Sequence, residues 1–585
     1  MKRPEQERHD RTVWAAFMLG KMSLKAGDFG AAATWFERTR EFARAGFADS
    51  MGMAADSYGW EGRSEWKQNH PAKAAQFFLT QLALGDETAV ISLKALIPDR
   101  DPIEGMLNYG PEYEEISKWS EQQKREDEAR ARAGLKTAAR DPWLRRLVTA
   151  HILATASTHD LFSEDSGTKP VNRCARWLAT IREEKLGEMD DAEYLGWVAY
   201  NNGDYKDAAH WLELAKADAA AACWLRAKLQ RRAGKLNDAA QSMAKAWEGV
   251  HGKGVYTGWA GSTGAVDDEY RAGAEGPSWT FDQSASGDLG ALRLSRGDFV
   301  QAFDTFRKGG LWNDAAFVGE RVLTTSELKK YVDEQGAGES SDEKGDIGKL
   351  RYLLGRRLVR EDRYEEAAQY LRPPYDKILQ KYVSALKEGA NEKLPKEQRA
   401  RAWFTAAWLA RRDGMELMGT EVAPDAFAEG GSFELADLAK QRRTGTYQTV
   451  RYDSKGEAKT ITSPIALKPT KEELQRLVKN KITPDLRFHY RVIAGELAIR
   501  AANFLPDNTE ELADVVNAAG LWVKDRDEKI ANRYFQILDQ RCAKTEIGRA
   551  ARARHWFVDE TGPWSAAQQQ AYEAMHKELG LETNN

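Results

Sequence analysis

Four times the chain sets a glycine, a turn residue, an alanine and a large apolar residue at steps of 7, 5 and 4 positions. The sets are Gly20/Gly27/Ala32/Phe36, Gly196/Gly203/Ala208/Leu212, Gly290/Gly297/Ala302/Phe306 and Gly355/Asp362/Ala367/Leu371. Leucine precedes the opening glycine each time, at Leu19, Leu195, Leu289 and Leu354. A fifth set, Ala227/Gly234/Ala239/Met243, keeps the steps with alanine in first place, and a sixth, Ala519/Ala531/Phe535, keeps only the 12 and the 4. A spacing that repeats unchanged restricts the fold to an array of like units.

The spacing predicts two antiparallel helices per unit. The small residue of the first helix admits a second helix closely, and the alanine twelve positions later is its small counterpart. Between them, Gly27-Asp28-Phe29, Gly203-Asp204-Tyr205 and Gly297-Asp298-Phe299 read as turns. Glycine there takes a left-handed backbone, aspartate caps the second helix and the aromatic anchors its first turn. Phe36, Leu212, Phe306 and Leu371 then fall one helical turn past the alanine, on the same buried face.

These units resemble tetratricopeptide repeats. From Tyr194 to Ala215 the chain shows the Leu-Gly of the first helix, the Gly-x-Tyr turn, then Ala208, Leu212 and Ala215 on the second helix. It departs from that family in the 31 residues from Gly203 to Gly234, where the family has 34, and in lacking the closing proline there. The stretches from Ala32 to Gly62 and from Ala74 to Leu96 look more like Sel1-type variants of the same hairpin. "NDAAFVGERVLTTSELKKYVD" and "ARRDGMELMGTE" resemble uncharacterised bacterial repeat proteins, and no activity comes with that likeness. The resemblance implies an all-α fold, an α-solenoid of stacked helical hairpins that binds partners in a groove lined by the first helices.

Composition agrees with a helical array. Charged residues are 30% of the 585 and alternate in sign, and Lys plus Arg at 86 against Asp plus Glu at 90 leaves a net charge of −4. No global field favours DNA, RNA or anionic lipid, so nucleic acid is not an expected partner. Cys174, Cys223 and Cys542 are too few and too scattered for a disulfide framework or metal knuckle, and each reads as a small core residue. "MKRPEQERHDRTVW" has no apolar leader and no stretch is long enough to span a membrane. The chain as written is expected to be cytoplasmic, with the periplasm or cell envelope as the alternative if an export signal has been trimmed.

Along the chain we expect N-terminal repeats over 1–100, an off-pattern helical segment over 101–190 and two good repeats over 191–248. A Gly- and aromatic-rich loop follows over 249–287, repeats resume over 288–388, helices with an inserted β-hairpin occupy 389–465, and helices close the chain over 466–585. The hairpin is read from alternating Thr446, Gln448, Val450 and Tyr452 before a Ser454-Lys455-Gly456 turn. A loop of 39 residues is long for a compact array. This one carries Tyr256, Trp259, Tyr270, Trp279 and Phe281 among its glycines, which makes those five the candidate partner-binding residues, with Trp259 and Trp279 as anchors.

The search for chemistry is negative. No histidine lies in HExxH and no phosphate-loop signature occurs. Gly261-Ser262-Thr263-Gly264 falls one residue short of a nucleophile elbow and lacks its strand-to-helix context. Gly252, Gly254 and Gly258 miss the dinucleotide spacing. Asp267, Asp268 and Glu269 read as a solvated acidic loop, and His151, His159, Asp160, Glu164 and Asp165 as a capped helix end in preference to metal sites. "RRLVRED" at 356–362 and "GRAARARHW" at 548–556 read as solvated basic faces in preference to phosphate or acidic-helix contacts. Among 19 tryptophans, Trp35 and Trp211 read as inter-helix packing beside the alanine pairs. The expectation is a non-catalytic scaffold with no cofactor and no metal, whose partner is a protein or peptide. Its rival is a cell-envelope enzyme or accessory built on a helical superhelix, as in lytic transglycosylases, but their catalytic Glu-Ser pair has no counterpart here, since Glu339-Ser340 falls in a polar loop. An RNA-binding helical repeat would need a basic inner face that the charge balance does not suggest.

Overall fold

The computed structural model describes residues 11–84, 86, 88–95, 120–159, 173–251, 281–336, 346–427, 438–452, 458–559 and 561–581. Among the described residues are 28 α-helices, one π-helical turn and two strands. They form two compact units, Met1–Ala285 and Ser286–Asn585.

Unit 1 opens with Thr12–Lys25, Phe29–Arg44, Met53–Lys67, Pro71–Ala83 and Thr88–Ala95. It continues through Glu121–Arg140, Pro142–His159 and Arg173–Glu183 to the hairpins Ala192–Asn201 with Tyr205–Leu214 and Ala220–Arg232 with Leu236–Val250. The first helix of each repeat ends where the turn residue goes left-handed, with φ of +79° at Gly27, +82° at Gly203 and +74° at Gly234. At Gly27 the N–H donates to the Leu24 carbonyl and the Asp28 N–H to the Ser23 carbonyl; at Gly203 and Asp204 the acceptors are Tyr200 and Ala199. This pair of bonds satisfies carbonyls that the helix end leaves open.

Among the further turns of this form, those at Asn69 and Gly310 complete the 7, 5 and 4 steps without the Leu-Gly signature. Asn69, at φ +62°, donates to Trp66 while His70 donates to Glu65, which completes the set Gly62/Asn69/Ala74/Phe78. In unit 2, Gly310, at φ +70°, donates to Arg307 while Leu311 donates to Phe306, completing Phe303/Gly310/Ala315/Gly319. There the small and large ends are exchanged, because a Cβ on Gly319 of the second helix would lie 3.0 Å from the ring of Phe303 on the first.

Contact across each hairpin explains the glycines. A Cβ on Gly20 would stand 2.6 Å from Cε1 of Phe36, and one on Gly62 2.6 Å from Cε1 of Phe78, so only glycine admits these rings. Phe36, Ala32 and Ala74 are fully buried, and burying one phenylalanine contributes about 2 to 3 kcal/mol.

Several expectations need correction. In the second set the buried residue is Trp211, with Leu212 only half-buried, because Gly196 admits the Trp211 Cβ and Leu225 of the next hairpin. Likewise Tyr534 is buried in the sixth set, with Phe535 half-buried. The second helix of the fourth set stops at Ala367, since Pro373 and Pro374 cannot continue it. Asp28 and Asp204 accept the expected capping bonds, from the Ala31 and Asp207 N–H groups, whereas the Asp298 side chain makes none. Trp35 is half-buried with the Arg38 guanidinium 5.2 Å from its ring centroid, so it packs less deeply than Trp211. The cysteines are buried as expected.

Unit 2 starts at Ser286, within helix Phe281–Arg296, which pairs with Phe299–Lys308; Asp346–Arg360 with Tyr364–Ala367 follows, and the unit holds one continuous apolar core from Leu294 to Met575. The β-hairpin is present: β1, Thr446–Tyr452, pairs antiparallel with β2, Ala458–Pro464, placing Gln448 opposite Thr462. Beyond it, unit 2 departs from a stack in which each repeat meets only its neighbours. Arg476 of helix Lys471–Lys479 pairs with Glu327 at 2.6 Å, and Asn480 donates to the Arg321 and Leu323 carbonyls at 3.1 Å. His576 of the last helix, Pro563–Glu578, meets Asp413 at 3.1 Å. These contacts join segments 149 to 163 residues apart.

Candidate functional site

Of the aromatic residues expected to bind a partner, Tyr256, Trp259, Tyr270 and Trp279 lie outside the described residues, as do Ser262, Asp267, Asp268, Glu269 and Glu339-Ser340. Phe281 is the first residue of helix Phe281–Arg296, and the preceding helix runs to Val250, so both ends of the 249–287 segment are helical where an irregular loop was expected.

The described residues offer a different aromatic surface in unit 1. Its parts come from the first helices of two successive hairpins, Ala192–Asn201 and Ala220–Arg232. Gly196 faces both the second helix of its own hairpin and Leu225 of the next, and Trp197 points about 100° around the helix from it. Trp197 meets Trp224 edge-on at 5.3 Å and Tyr200 at 5.7 Å, and its indole N–H donates to the Ala221 carbonyl at 3.0 Å. Tyr200 meets Tyr205 at 5.3 Å. Cations border the strip: the Arg232 guanidinium is 3.5 Å from the Tyr205 ring centroid and the Lys228 ammonium 5.7 Å from that of Trp224. Tyr194 stands 42% exposed, and Trp197 and Tyr200 are half-buried. Aromatic faces flanked by cations can take apolar and acidic groups of a partner. None of these residues was singled out from sequence as a binding group; the available signal was their place on a first helix.

The densest polar cluster lies in unit 2, and it overturns the solvated reading of "RRLVRED". Arg356 is fully buried and Arg357 is 4% exposed. Arg356 is paired with Glu421 and sandwiched between the Tyr352 and Phe427 rings, 4.2 and 4.4 Å from their centroids. Arg360 pairs with Glu320 and donates to the Gly419 carbonyl at 2.7 Å. The Glu421 N–H donates to Glu320 Oε1 at 3.1 Å, and the Trp312 indole N–H to Glu421 Oε2 at 3.2 Å. Glu320 is brought in by the π-helical turn Val318–Val322, whose extra residue shifts the face presented. Thus the turn after the short helix Gly414–Met418 and the π-helical turn supply carboxylates to arginines of helix Asp346–Arg360.

Titratable groups around this cluster point to cohesion more than to reaction. Burial opposes ionisation of Asp425, yet His489, 3.0 Å away, and the Thr420 and Phe488 N–H groups hold its carboxyl below the ordinary range. Burial pushes the Glu416 carboxyl, 2.8 Å from Arg372, up to about 7. Burial raises the Cys542 thiol to about 12, which removes it as a nucleophile at neutral pH. Among the described residues no three His, Cys, Asp or Glu side chains converge as a metal site. No helix among them is long and apolar enough to cross a membrane. Compared with known proteins, the chain matches no family model and no curated protein.

Proposed function

We propose that the chain is a non-catalytic scaffold of stacked helical hairpins, of the tetratricopeptide and Sel1-like kind, that holds a protein or peptide partner. The observation that carries this reading is the strip of Tyr194, Trp197 and Tyr200 in unit 1, backed by the buried Trp224 on the first helix of the next hairpin. A peptide laid across such helices meets rigid aromatic faces that cost little side-chain entropy to order. The cations beside the strip favour a partner segment with acidic residues. The 249–287 segment, with Trp259 and Trp279, is proposed as an additional contact for the same partner.

A photo-crosslinking residue at position 194, in the full chain expressed in its source cells, tests the reading. A defined protein cross-linked at that position, and lost when Trp197 and Tyr200 are both changed to alanine at unchanged helix content, supports it. Retention of the same cross-link by that variant rules the strip out. For the segment, joint replacement of Trp259 and Trp279 by alanine should lower partner binding without lowering Tm. Unchanged binding with a large fall in Tm would make those residues structural.

A further inference from the structure

Unit 2 repeatedly pairs arginines that are buried or half-buried with carboxylates: Arg356 with Glu421, Arg360 with Glu320, Arg442 with Glu473, Arg476 with Glu327. Arg411, Arg491 and Arg526 depart from this pattern. Around the half-buried ring of Phe488 stand the guanidinium groups of Arg487, Arg491 and Arg526, with carbons 4.6, 4.8 and 4.7 Å from its centroid. All three therefore lie within about 10 Å of one another, close enough for strong mutual repulsion in a partly desolvated site. Arg411, in the last turn of helix Lys396–Arg412, joins them. Its own field is set by burial and then by Arg491, Arg412 and Arg526, and together they bring its pKa down to about 10.

The side-chain Nε groups of Arg411, Arg491 and Arg526 are buried without a hydrogen-bond partner, and none of these three arginines makes an ion pair with any described residue. Asp525 only partly offsets Arg526, whose group is also lowered by burial, Arg491 and Arg487. Carbonyls at the ends of helices Lys396–Arg412 and Glu510–Val523 suit the positive charge of Arg411 and Arg526. They do not account for Arg491, which stands in the first turn of helix His489–Ala502, where a helix repels cations. Phe488 is held there in a left-handed backbone, φ +58°, by its N–H bond to Asp425 Oδ1 at 2.6 Å. The fold thus spends a strained residue to fix three guanidinium groups around one point.

We propose that Arg411, Arg487, Arg491 and Arg526 form a binding site for a phosphate group, either as the free anion or on a small phosphorylated molecule. A phosphate offers several acceptor oxygens and more than one negative charge, which matches forked donors arriving from three chain segments better than a single carboxylate does. The test is isothermal titration of the full chain with inorganic phosphate, pyrophosphate and glycerol phosphate, beside succinate and chloride at matched ionic strength. Arg491→Gln, Arg526→Gln and the remote Arg552→Gln are compared with the natural chain.

Saturable binding of one equivalent of a phosphate compound is expected, weakened at least tenfold by Arg491→Gln and by Arg526→Gln and unchanged by Arg552→Gln. Tightest binding by inorganic phosphate or pyrophosphate would assign the free anion, and tightest binding by glycerol phosphate a phosphorylated small molecule. Without ligand, both site variants should melt at or above the natural chain, because repulsion is relieved. Absence of saturable binding, equal binding by the site variants, equal binding of succinate, or a much lower melting temperature of both unliganded site variants would overturn the proposal.

Discussion

At the scale of single residues the hairpins depend on what is missing from a side chain. Gly20 leaves room for the Phe36 ring, and a methyl group there would overlap Cε1 and Cδ1 of that ring. Gly20→Ala should therefore cost about 1 to 3 kcal/mol, and the double variant with Phe36→Leu should recover part of it. Urea unfolding of the natural chain, the two single variants and the double variant checks this, and full additivity of the two losses would mean the residues do not touch. A second residue-scale prediction concerns pH. Burial, and then the hydrogen bond with Asp86, raise the Asp56 carboxyl to about 6. The folded form thus holds this proton more tightly than the unfolded chain does. Its contribution to stability is complete below about pH 4 and is lost as pH rises through 6. Asp56→Asn should stabilise the protein by roughly 1 kcal/mol at pH 7.5, after allowing for solvent screening at this half-exposed site, and should flatten the Tm profile between pH 4 and 7. A variant with the natural profile would contradict the assignment.

At the scale of elements, legibility in the sequence followed chain distance. The 7, 5 and 4 steps were readable because a turn and its two flanking helices are set by neighbours along the chain. The hairpins at Asn69 and Gly310 escaped notice because asparagine can take the left-handed position, and because Phe303 and Gly319 exchange the large and small roles. Trp211 in place of Leu212 could not be read, since the choice rests on Leu225 of the next hairpin. The buried charge network was hidden more deeply. Arg356 and Glu421 are 65 residues apart and Glu320 and Glu421 are 101 apart, with no periodicity linking them. Glu421→Ala would leave Arg356 charged, fully buried and without its carboxylate, at a cost of about 3 to 5 kcal/mol. Replacing both, Arg356→Met with Glu421→Leu, should restore much of that stability. Guanidinium unfolding separates these outcomes, and a loss from Glu421→Ala under about 1 kcal/mol would show that the cluster is solvated.

At the scale of the whole molecule the two units are held together differently. Unit 1 contains separate apolar clusters, one centred on Phe17 and Phe36, another on Ala74 and Phe78, and a third running from Leu135 to Trp211. Unit 2 has a single core, tied across the sequence by Arg476 with Glu327 and His576 with Asp413. An array of hairpins should open piecewise, whereas a unit closed by distant contacts should open as a block. The scaffold proposed here needs the first behaviour in the unit that carries the aromatic strip. Native-state hydrogen exchange of the full chain, followed by peptide across increasing denaturant, tests this most directly. The expected result is stepwise protection in unit 1, with the hairpin at Gly27 opening at a lower free energy than the one at Gly203, and a common opening free energy for helices Asp346–Arg360, His489–Ala502 and Pro563–Glu578 of unit 2. One shared opening free energy for every helix of unit 1 would contradict it.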